Sequence, residues 1–256
     1  MSGIFKISLI TIRDELAHKS FYLFAIICAA FIFALRGCFT STMVVNGDKL
    51  SSATVGWQTS IAAFHIIGIC GLLIAALLSM RSYRKDCENG SVVAILSKPL
   101  RRVEYILGKI FGLWIISYGF TFLLHFSVYI LMILNTGGRI SFFLPASLIV
   151  SINVLFVIVA VYLLSLIVSE TVAVLAVIAI SAVSFISDGL FTMTHTESLW
   201  RILWPKIGAL QFFVVSFIKG ESFNSNGSMN PLLNLGIYLI IITGLLLARF
   251  SKEEIR

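Results

Sequence analysis

The stretch Met80–Lys109, MRSYRKDCENGSVVAILSKPLRRVEYILGK, is the longest polar interruption between two strongly apolar segments of the chain. Six of the chain's nineteen Lys and Arg residues lie in it before Val103. Its own apolar run, Val92–Leu96, is too short to cross a bilayer, because a membrane-spanning helix needs about 20 residues. The stretch therefore predicts a polar loop between two membrane spans, and the rest of the chain follows outward from it.

The composition indicates that the solvent of this protein is a lipid bilayer. Of 256 residues, 59% are apolar and 12% are charged, whereas a soluble domain carries about a quarter charged residues. In a membrane protein a Lys/Arg excess such as the net +7 here usually lies in cytoplasmic loops and sets orientation. We therefore expect membrane lipid around the chain and no nucleic-acid partner. The four cysteines have no CxxC or Cys/His spacing, so no metal site is predicted.

Apolar runs predict six spans, which we place at about 21–39, 57–79, 104–134, 142–168, 172–191 and 231–250. An even number of spans puts both termini on one side of the membrane. Thirteen Lys and Arg residues fall on that side and six on the other. Because the basic side is normally cytoplasmic, we expect a multi-pass protein of the inner (cytoplasmic) cell membrane with both termini and the focal loop in the cytoplasm.

Two further segments are too short or too polar to span. In residues 1–19 an apolar stripe of Phe5, Leu9, Ile12 and Leu16 predicts an amphipathic helix at the inner membrane surface, with a frayed start to the first span as the alternative. Residues 192–230 include a short apolar run at 207–218, which predicts a re-entrant or interfacial piece on the outer side. The expected fold is a single transmembrane domain, 1–256: an all-α polytopic membrane protein with these two additions and a cytoplasmic loop at 80–103.

Few ionisable residues lie inside the predicted spans. His65 and His125 are candidate pathway residues, because an intramembrane ionisable group is a functional candidate by default. The alternative, which the sequence favours, is a neutral histidine hydrogen-bonded between helices. Asp188 is interpreted as a boundary residue near the outer end of the fifth span. The sequence has no P-loop, no HExxH and no paired intramembrane carboxylates, so we predict no catalytic residue and no cofactor bound by this chain.

Within the focal loop, the order of residues predicts a short helix of its own. Ser91 follows an Asn89–Gly90 turn and can cap a helix that continues through Leu96. Pro99 ends that helix near Ser97, since the residue before a proline avoids the helical region, and it can begin the next helix. A short helix joined to two spans can transmit a push from a soluble partner. An ordinary basic loop that obeys the orientation rule explains the spacing equally well.

At these residues the chain resembles the permease subunits of ABC-2 type exporters. Members of that family carry an E-x-G-[ST] turn after the second span, a short helix ending in L-S-x-P, and a basic pair leading to a G-K in the third span. The matching residues here are Glu88, Gly90, Ser91, Leu96, Ser97, Pro99, Arg101, Arg102, Gly108 and Lys109. Many relatives have an acidic residue two positions after the [ST], where this chain has Val93.

The resemblance implies a half-transporter that is not itself an enzyme. Two copies would pair, as a homodimer, and two ATPase subunits carrying ATP and Mg would bind below the short coupling helix. The motif residues, together with the basic anchor Arg84, would couple ATP hydrolysis to export. Two other classes stay open from the sequence: a stand-alone secondary transporter or channel, and a non-transporting membrane assembly factor.

Overall fold

The structure, a computed structural model, describes residues 3–40, 44–45, 48–49, 51–88, 102–137, 139–194, 204–221 and 229–252. These ranges contain eight helices: α1 (Gly3–Leu16), α2 (Lys19–Thr40), α3 (Ser52–Glu88), α4 (Arg102–Thr136), α5 (Phe143–Ser165), α6 (Glu170–Thr194), α7 (Ile207–Lys219) and α8 (Pro231–Lys252). Between α2 and α3, the two-residue strands β1 (Val44–Val45) and β2 (Asp48–Lys49) pair antiparallel.

Six of the helices are long and apolar enough to cross a membrane. The candidate spans are Phe21–Phe39, Ser52–Met80, Arg102–Thr136, Phe143–Ser165, Glu170–Leu190 and Pro231–Ser251. They coincide with the six predicted from the apolar runs, so the prediction of an all-α polytopic membrane protein is confirmed. The connection from Ser165 to Glu170 is as short as expected, and α5 and α6 form an antiparallel hairpin.

The helices on either side of the focal loop are longer than the predicted spans. With 37 residues in α3 and 35 in α4, each is about 50–55 Å long at 1.5 Å per residue, whereas the hydrocarbon core of a bilayer is about 30 Å thick. The backbone of α3 stays helical as far as Glu88, through the first part of the predicted 80–103 loop. No Gly or Pro interrupts residues 81–88, and Arg, Lys and Glu are good helix formers, which explains the extension.

An antiparallel pair of helices, α3 and α4, forms the centre of the bundle. Near one end Gly56 of α3 faces the methyl group of Thr136, and further along Gly71 faces Thr121, so the two chains run in opposite directions. The small residues let the helix backbones approach closely, as is common between helices in membranes. Packed on this pair is α5, whose side chains are the most completely buried of the spans together with those of α3.

The first span, α2, is attached at the edge of this bundle. Phe21 touches Phe120 of α4 with ring centroids 5.7 Å apart, and Leu35 and Phe39 are buried. Most other large side chains of α2 are exposed and form an apolar outer surface, for example Tyr22, Leu23, Ile26, Ile27 and Phe33. Such a surface suits contact with lipid chains, since few of its side chains have a protein neighbour.

Candidate functional site

The predicted coupling segment lies between the end of α3 and the start of α4. Its central residues, Gly90, Ser91, Leu96, Ser97, Pro99 and Arg101, lie outside the described residues, so the short helix stays a prediction. The backbone of Arg84 and Glu88 belongs to the last turns of α3, and their side chains are outside the described part of the chain. Of the residues that match the motif, Arg102, Gly108 and Lys109 are therefore the three whose surroundings the structure gives.

Gly108 of α4 is in close contact with α1. A Cβ atom at Gly108 would be 2.8 Å from Cβ of Ile7 and 2.9 Å from a main-chain oxygen of the preceding turn of α1. One turn later, a Cβ at Gly112 would be 2.9 Å from both the carbonyl oxygen of Ser8 and Cβ of Thr11. This G-x-x-x-G pair forms a flat surface on which another helix packs closely. Residue numbers increase together along the contact, so α1 and α4 run in the same direction.

The face of α1 that packs on α4 is not the predicted apolar stripe. Its buried residues are Ile7, Ser8, Thr11 and Glu15. Phe5 and Leu9 are each 57% exposed and Leu16 is 41% exposed, so most of the stripe faces outward. The ring of Phe5 also touches that of Phe111 of α4, with centroids 6.3 Å apart, and Ile12 is partly buried. The charged Lys6 and Arg13 are exposed beside it. A helix with a docked face, an apolar face and a charged face suits the membrane boundary, and the interfacial position of α1 stays a prediction.

The G-K pair of the resemblance lies inside the bundle. Lys109 is 5% exposed, and lysines are rarely buried to this extent unless their ammonium group has a partner. By contrast, Arg102 at the start of α4 is exposed, and its Nη1 donates to the carbonyl oxygen of Ser251 at 3.4 Å. The close packing of α1 on α4 therefore explains why a glycine is needed at position 108. Because Lys109 is buried, any coupling role of its side chain would act through the interior of the bundle.

The two intramembrane histidines lie in different surroundings. His125 is completely buried, shares a 2.8 Å hydrogen bond between Nδ1 and Oγ of Ser147, and stacks on Phe64 with ring centroids 4.3 Å apart. His65 is partly exposed, and its ring centroid is 5.4 Å from that of Phe212. His125 therefore matches the alternative of a histidine hydrogen-bonded between helices, while His65 remains a candidate for a pathway.

The beginning of α7 is held by side chains of α6. Asp188 is 3% exposed, and its Oδ2 accepts a 2.7 Å hydrogen bond from the main-chain N–H of Ala209. Ser184 Oγ accepts from the N–H of Gly208 at 3.1 Å and donates to the carbonyl oxygen of Pro205 at 3.0 Å. The first N–H groups of a helix have no partner within it, so α6 supplies the cap that α7 lacks in its own sequence.

The beginning of α7 contacts three of the candidate spans. Asn153, near the middle of α5, donates from Nδ2 to the carbonyl oxygen of Ile207 at 3.0 Å. The indole of Trp204 donates to the carbonyl oxygen of Ile180, near the middle of α6, at 3.2 Å, and the N–H of Lys206 donates to Oδ1 of Asn234, in the first turn of α8, at 3.0 Å. The helix that follows has 13 residues, too few to cross a bilayer. A re-entrant and an interfacial position for this segment both stay predictions.

A further contact joins α7 to the centre of the bundle. Gln211 is completely buried, and its Nε2 donates to the carbonyl oxygen of Phe64 at 3.3 Å. Its amide lies against Gly68, in space that a Cβ at that position would occupy. Nε2 of His125 is 3.4 Å from the same carbonyl oxygen. One turn of α3 is therefore contacted by polar side chains from both α4 and α7.

Asp188 lies two residues before the end of the candidate span Glu170–Leu190, which agrees with its predicted place near the end of the fifth span. It is buried, however, and caps α7, because the start of α7 supplies N–H donors at that level. A sequence signal was present: Ser184 and Asp188 are four residues apart, so they share one face of α6. Two side-chain acceptors on one face of an apolar span indicate a polar partner inside the bundle.

The described residues contain no group of three or more His, Cys, Asp or Glu that could hold a metal ion. Within the same ranges no disulfide joins Cys28, Cys38 or Cys70. Comparison of the sequence with protein-family models and with curated proteins gives no match. The candidate site therefore combines the motif segment, which lies outside the described residues, with the start of α7, which is held by side chains of α5 and α6.

Proposed function

We propose that this protein is the membrane-spanning permease subunit of an ATP-binding-cassette exporter. In this proposal a separate ATPase subunit hydrolyses ATP, and the permease couples that hydrolysis to movement of a substrate across the inner membrane. The residues that resemble the ABC-2 permeases support it. The observation that carries it is that α3 and α4, which border the motif segment, each continue without interruption from that segment to the opposite end of the bundle.

Two long helices can transmit a displacement over the thickness of a membrane. In the bundle, α3 and α4 are in contact both at Gly71, which faces Thr121, and at Gly56, which faces Thr136. Packed helices move in discrete steps rather than deforming continuously. A partner that presses on residues 89–101 would therefore move the C-terminal end of α3 and the N-terminal end of α4 together. The hydrogen bond from Gln211 to Phe64 extends this connection from α3 to α7.

The proposed assembly contains two copies of this chain and two ATPase subunits with ATP and Mg, on the cytoplasmic side where both termini lie. Closure of the ATPases would press the short coupling helices and alternate the access of a cavity between the two permeases. This chain would bind no nucleotide itself. Arg84, Glu88 and the motif residues that follow them would form the contact surface for the ATPases.

Co-purification tests the proposal. The chain is co-expressed with candidate P-loop ATPases of the same cell, beginning with any encoded by a neighbouring gene, and we expect a complex that keeps both subunits through size-exclusion chromatography. Gly90→Ala and Pro99→Ala should reduce transport per ATP hydrolysed while leaving membrane insertion intact. Arg139→Gln, at the other end of α4, is the matched control and should change neither quantity. A chain that never co-purifies with an ATPase would overturn the proposal.

The other two classes give different results in the same preparations. A secondary transporter or channel would move substrate as the purified chain alone in liposomes, driven by an ion gradient. A non-transporting assembly factor would tolerate substitutions at Gly90 and Pro99, and would show no ATP-dependent transport with any partner.

A further inference from the structure

A groove of about 260 Å³ lies between α3, α5 and α6. Its floor is formed by buried apolar residues from all three helices, Leu72 and Ala76 of α3, Val157 of α5 and Val177 of α6. Among the described residues that line it, Ser181 has the only polar side chain, and its hydroxyl already donates to the carbonyl oxygen of Val177 at 2.8 Å. Cavities lined in this way stay dry and bind apolar molecules, so the matching occupant is hydrocarbon.

The groove has the direction and size of one lipid chain. It extends from Ile69 to Ala76 on α3 and from Val177 to Ile186 on α6, about 10–14 Å along the helix axes at 1.5 Å per residue. Both helices are candidate spans, so the groove runs in the direction in which hydrocarbon chains lie in a bilayer. Since a cavity of about 150 Å³ holds benzene, the volume here suits roughly ten carbon atoms. Ile69, Leu73 and Ile186 at its rims are exposed, so a chain can enter from the surrounding lipid.

One end of the groove lies at a level where two candidate spans have an end. The ring of Phe212 of α7 is close to both walls here, because its centroid is 5.4 Å from that of His65 and its Cζ would be 3.9 Å from a Cβ at Gly189 of α6. Gly189 is one residue before the end of the fifth candidate span. Phe64, next to His65, contacts the ring of Phe143, the first residue of α5, with centroids 5.2 Å apart. The level of His65 therefore suits the headgroup region of a bilayer.

His65 supplies a polar group at this end of the groove. It is four residues before Ile69, so it lies on the face of α3 that lines the groove, one turn beyond its last residue. It is partly exposed, and within the described part of the chain its ring nitrogens have no hydrogen-bond partner. An ionisable side chain in a span is expensive without a partner, so a hydrogen-bonding group from outside the chain is favoured here. An apolar groove with a few placed polar groups is the usual form of a small-molecule site.

We propose that the groove binds a single-chain amphipath, with its acyl or alkyl chain between α3 and α6 and its polar head at His65. A phospholipid of the bilayer is a poorer occupant, because its second chain finds no place in a groove of this volume. A ligand of this class would be the substrate of the proposed exporter, and that step rests on the proposed function. Binding itself is a property of this chain alone.

Photolabelling of the purified full chain in phosphatidylcholine nanodiscs tests the site. The probe is a lysophosphatidylcholine with a chain of about ten carbons, the length that the groove volume suits, and a diazirine at the chain end. We expect label on peptides that contain Ala76 and Val177, at the end of the groove away from His65, and loss of that label when unlabelled lysophosphatidylcholine is added in excess. Label on Leu245, which is 55% exposed on α8, measures general lipid contact and should not be displaced. Equal displacement at both places, or none at the groove, would overturn the proposal.

Two pairs of variants separate the groove from the head contact. Ala182→Phe fills the groove from its exposed rim and should abolish the displaceable label, whereas Val183→Phe, at the next exposed position and outside the lining, is the matched control and should keep it. His65→Phe removes the ring nitrogens and should weaken binding of the probe by about two- to tenfold. His65→Gln keeps a donor and should restore most of that loss. Thermal unfolding confirms that each variant is folded.

Three further outcomes would overturn parts of the proposal. Unchanged binding in His65→Phe would overturn the head contact. Equal competition by a phosphatidylcholine with two chains of the same length would overturn the selection of a single chain. A change from dimer to monomer in Ala182→Phe without a change in label would assign the groove to a second copy instead. Because no ATPase is present in these experiments, a failed binding site and a failed ATPase complex are observed separately.

Discussion

The docking of α1 on α4 can be tested by adding a single methyl group. A Cβ at Gly108 or Gly112 would be 2.8–2.9 Å from atoms of α1, including main-chain oxygens that cannot rotate away. The helices must then separate, and overpacking of this kind costs about 1–3 kcal/mol. Against this, replacing Gly by Ala within a helix gains up to about 1 kcal/mol. The expected net loss of stability for Gly112→Ala is therefore about 0–2 kcal/mol. The loss comes from the weakened contact between α4 and α1.

Gly119 provides the matched control, because a Cβ there would have nothing within 4 Å. Gly119→Ala keeps the gain in helix stability and lacks the clash. Its free energy of unfolding should therefore be about 1–3 kcal/mol higher than that of Gly112→Ala.

Hydrogen exchange of the amides of residues 3–16 is the measurement, since a helix of this length is marginal without its packing partner. Each 1.4 kcal/mol corresponds to a tenfold change in an equilibrium constant, so a loss of up to about 2 kcal/mol should raise exchange in α1 by up to about thirtyfold in Gly108→Ala and Gly112→Ala. Unchanged exchange in both variants, or an equal rise in Gly119→Ala, would refute this account of the contact.

Three further predictions concern the polar contacts inside the bundle, each measured as the thermal stability of the purified protein in detergent. Asp188→Ala should destabilise by about 1–3 kcal/mol, since it leaves an N–H of α7 without its acceptor, and Asp188→Asn, which keeps an acceptor oxygen, should cost less; equal losses would contradict the capping role. Gly68→Ala should destabilise by pushing the Gln211 amide from its place, and Gln211→Ala in the same chain should relieve the clash, so strictly additive losses would count against the contact. Ser147→Ala should cost about 1–3 kcal/mol because it leaves a buried ring nitrogen of His125 unpaired, and a neutral result would show that this hydrogen bond is dispensable.

The spans could be predicted because hydropathy is a property of each segment by itself. A helix that crosses a bilayer needs about 20 apolar residues whatever it packs against, and the six candidate spans follow the six apolar runs. The ends of the helices were harder to predict, because a helix can continue beyond the surface of the bilayer. At the motif segment the polar residues up to Glu88 continue α3, and no hydropathy scale distinguishes a helix that leaves the membrane from a loop.

The packing face of α1 could not be found from apolarity. The stripe of Phe5 and Leu9 predicts the face of α1 that turns to the membrane, and apolarity alone does not indicate which other face packs on the protein. In a membrane the surroundings are as apolar as leucine, and helices associate through small residues that allow close approach. The informative pattern was therefore in the partner: Gly108 and Gly112, one turn apart on α4, form the surface that receives Ser8 and its neighbours.

The contacts of α7 could not be predicted, for a different reason. Sequence gives the length of the run at 207–218 and hence that it cannot span, but its packing depends on partners far away in the chain. Asn153 is more than 50 residues from the carbonyl oxygen that it contacts, and Gln211 is 147 residues from Phe64. Only once such donors and acceptors are brought together is Asp188 identified as the cap of α7.

These contacts place the motif segment in a specific mechanical position. At its far side begins α4, with Gly108 in the second turn, and α1 is packed on that glycine and the next. A force on the motif segment that moves the start of α4 must therefore carry α1 with it or break this contact. Because the apolar stripe of α1 faces outward, such a movement would also shift the helix relative to the surrounding lipid. Gly108, which the resemblance associates with coupling, is thus a residue at which α4 and α1 pack together, in the second turn of the helix that follows the motif segment.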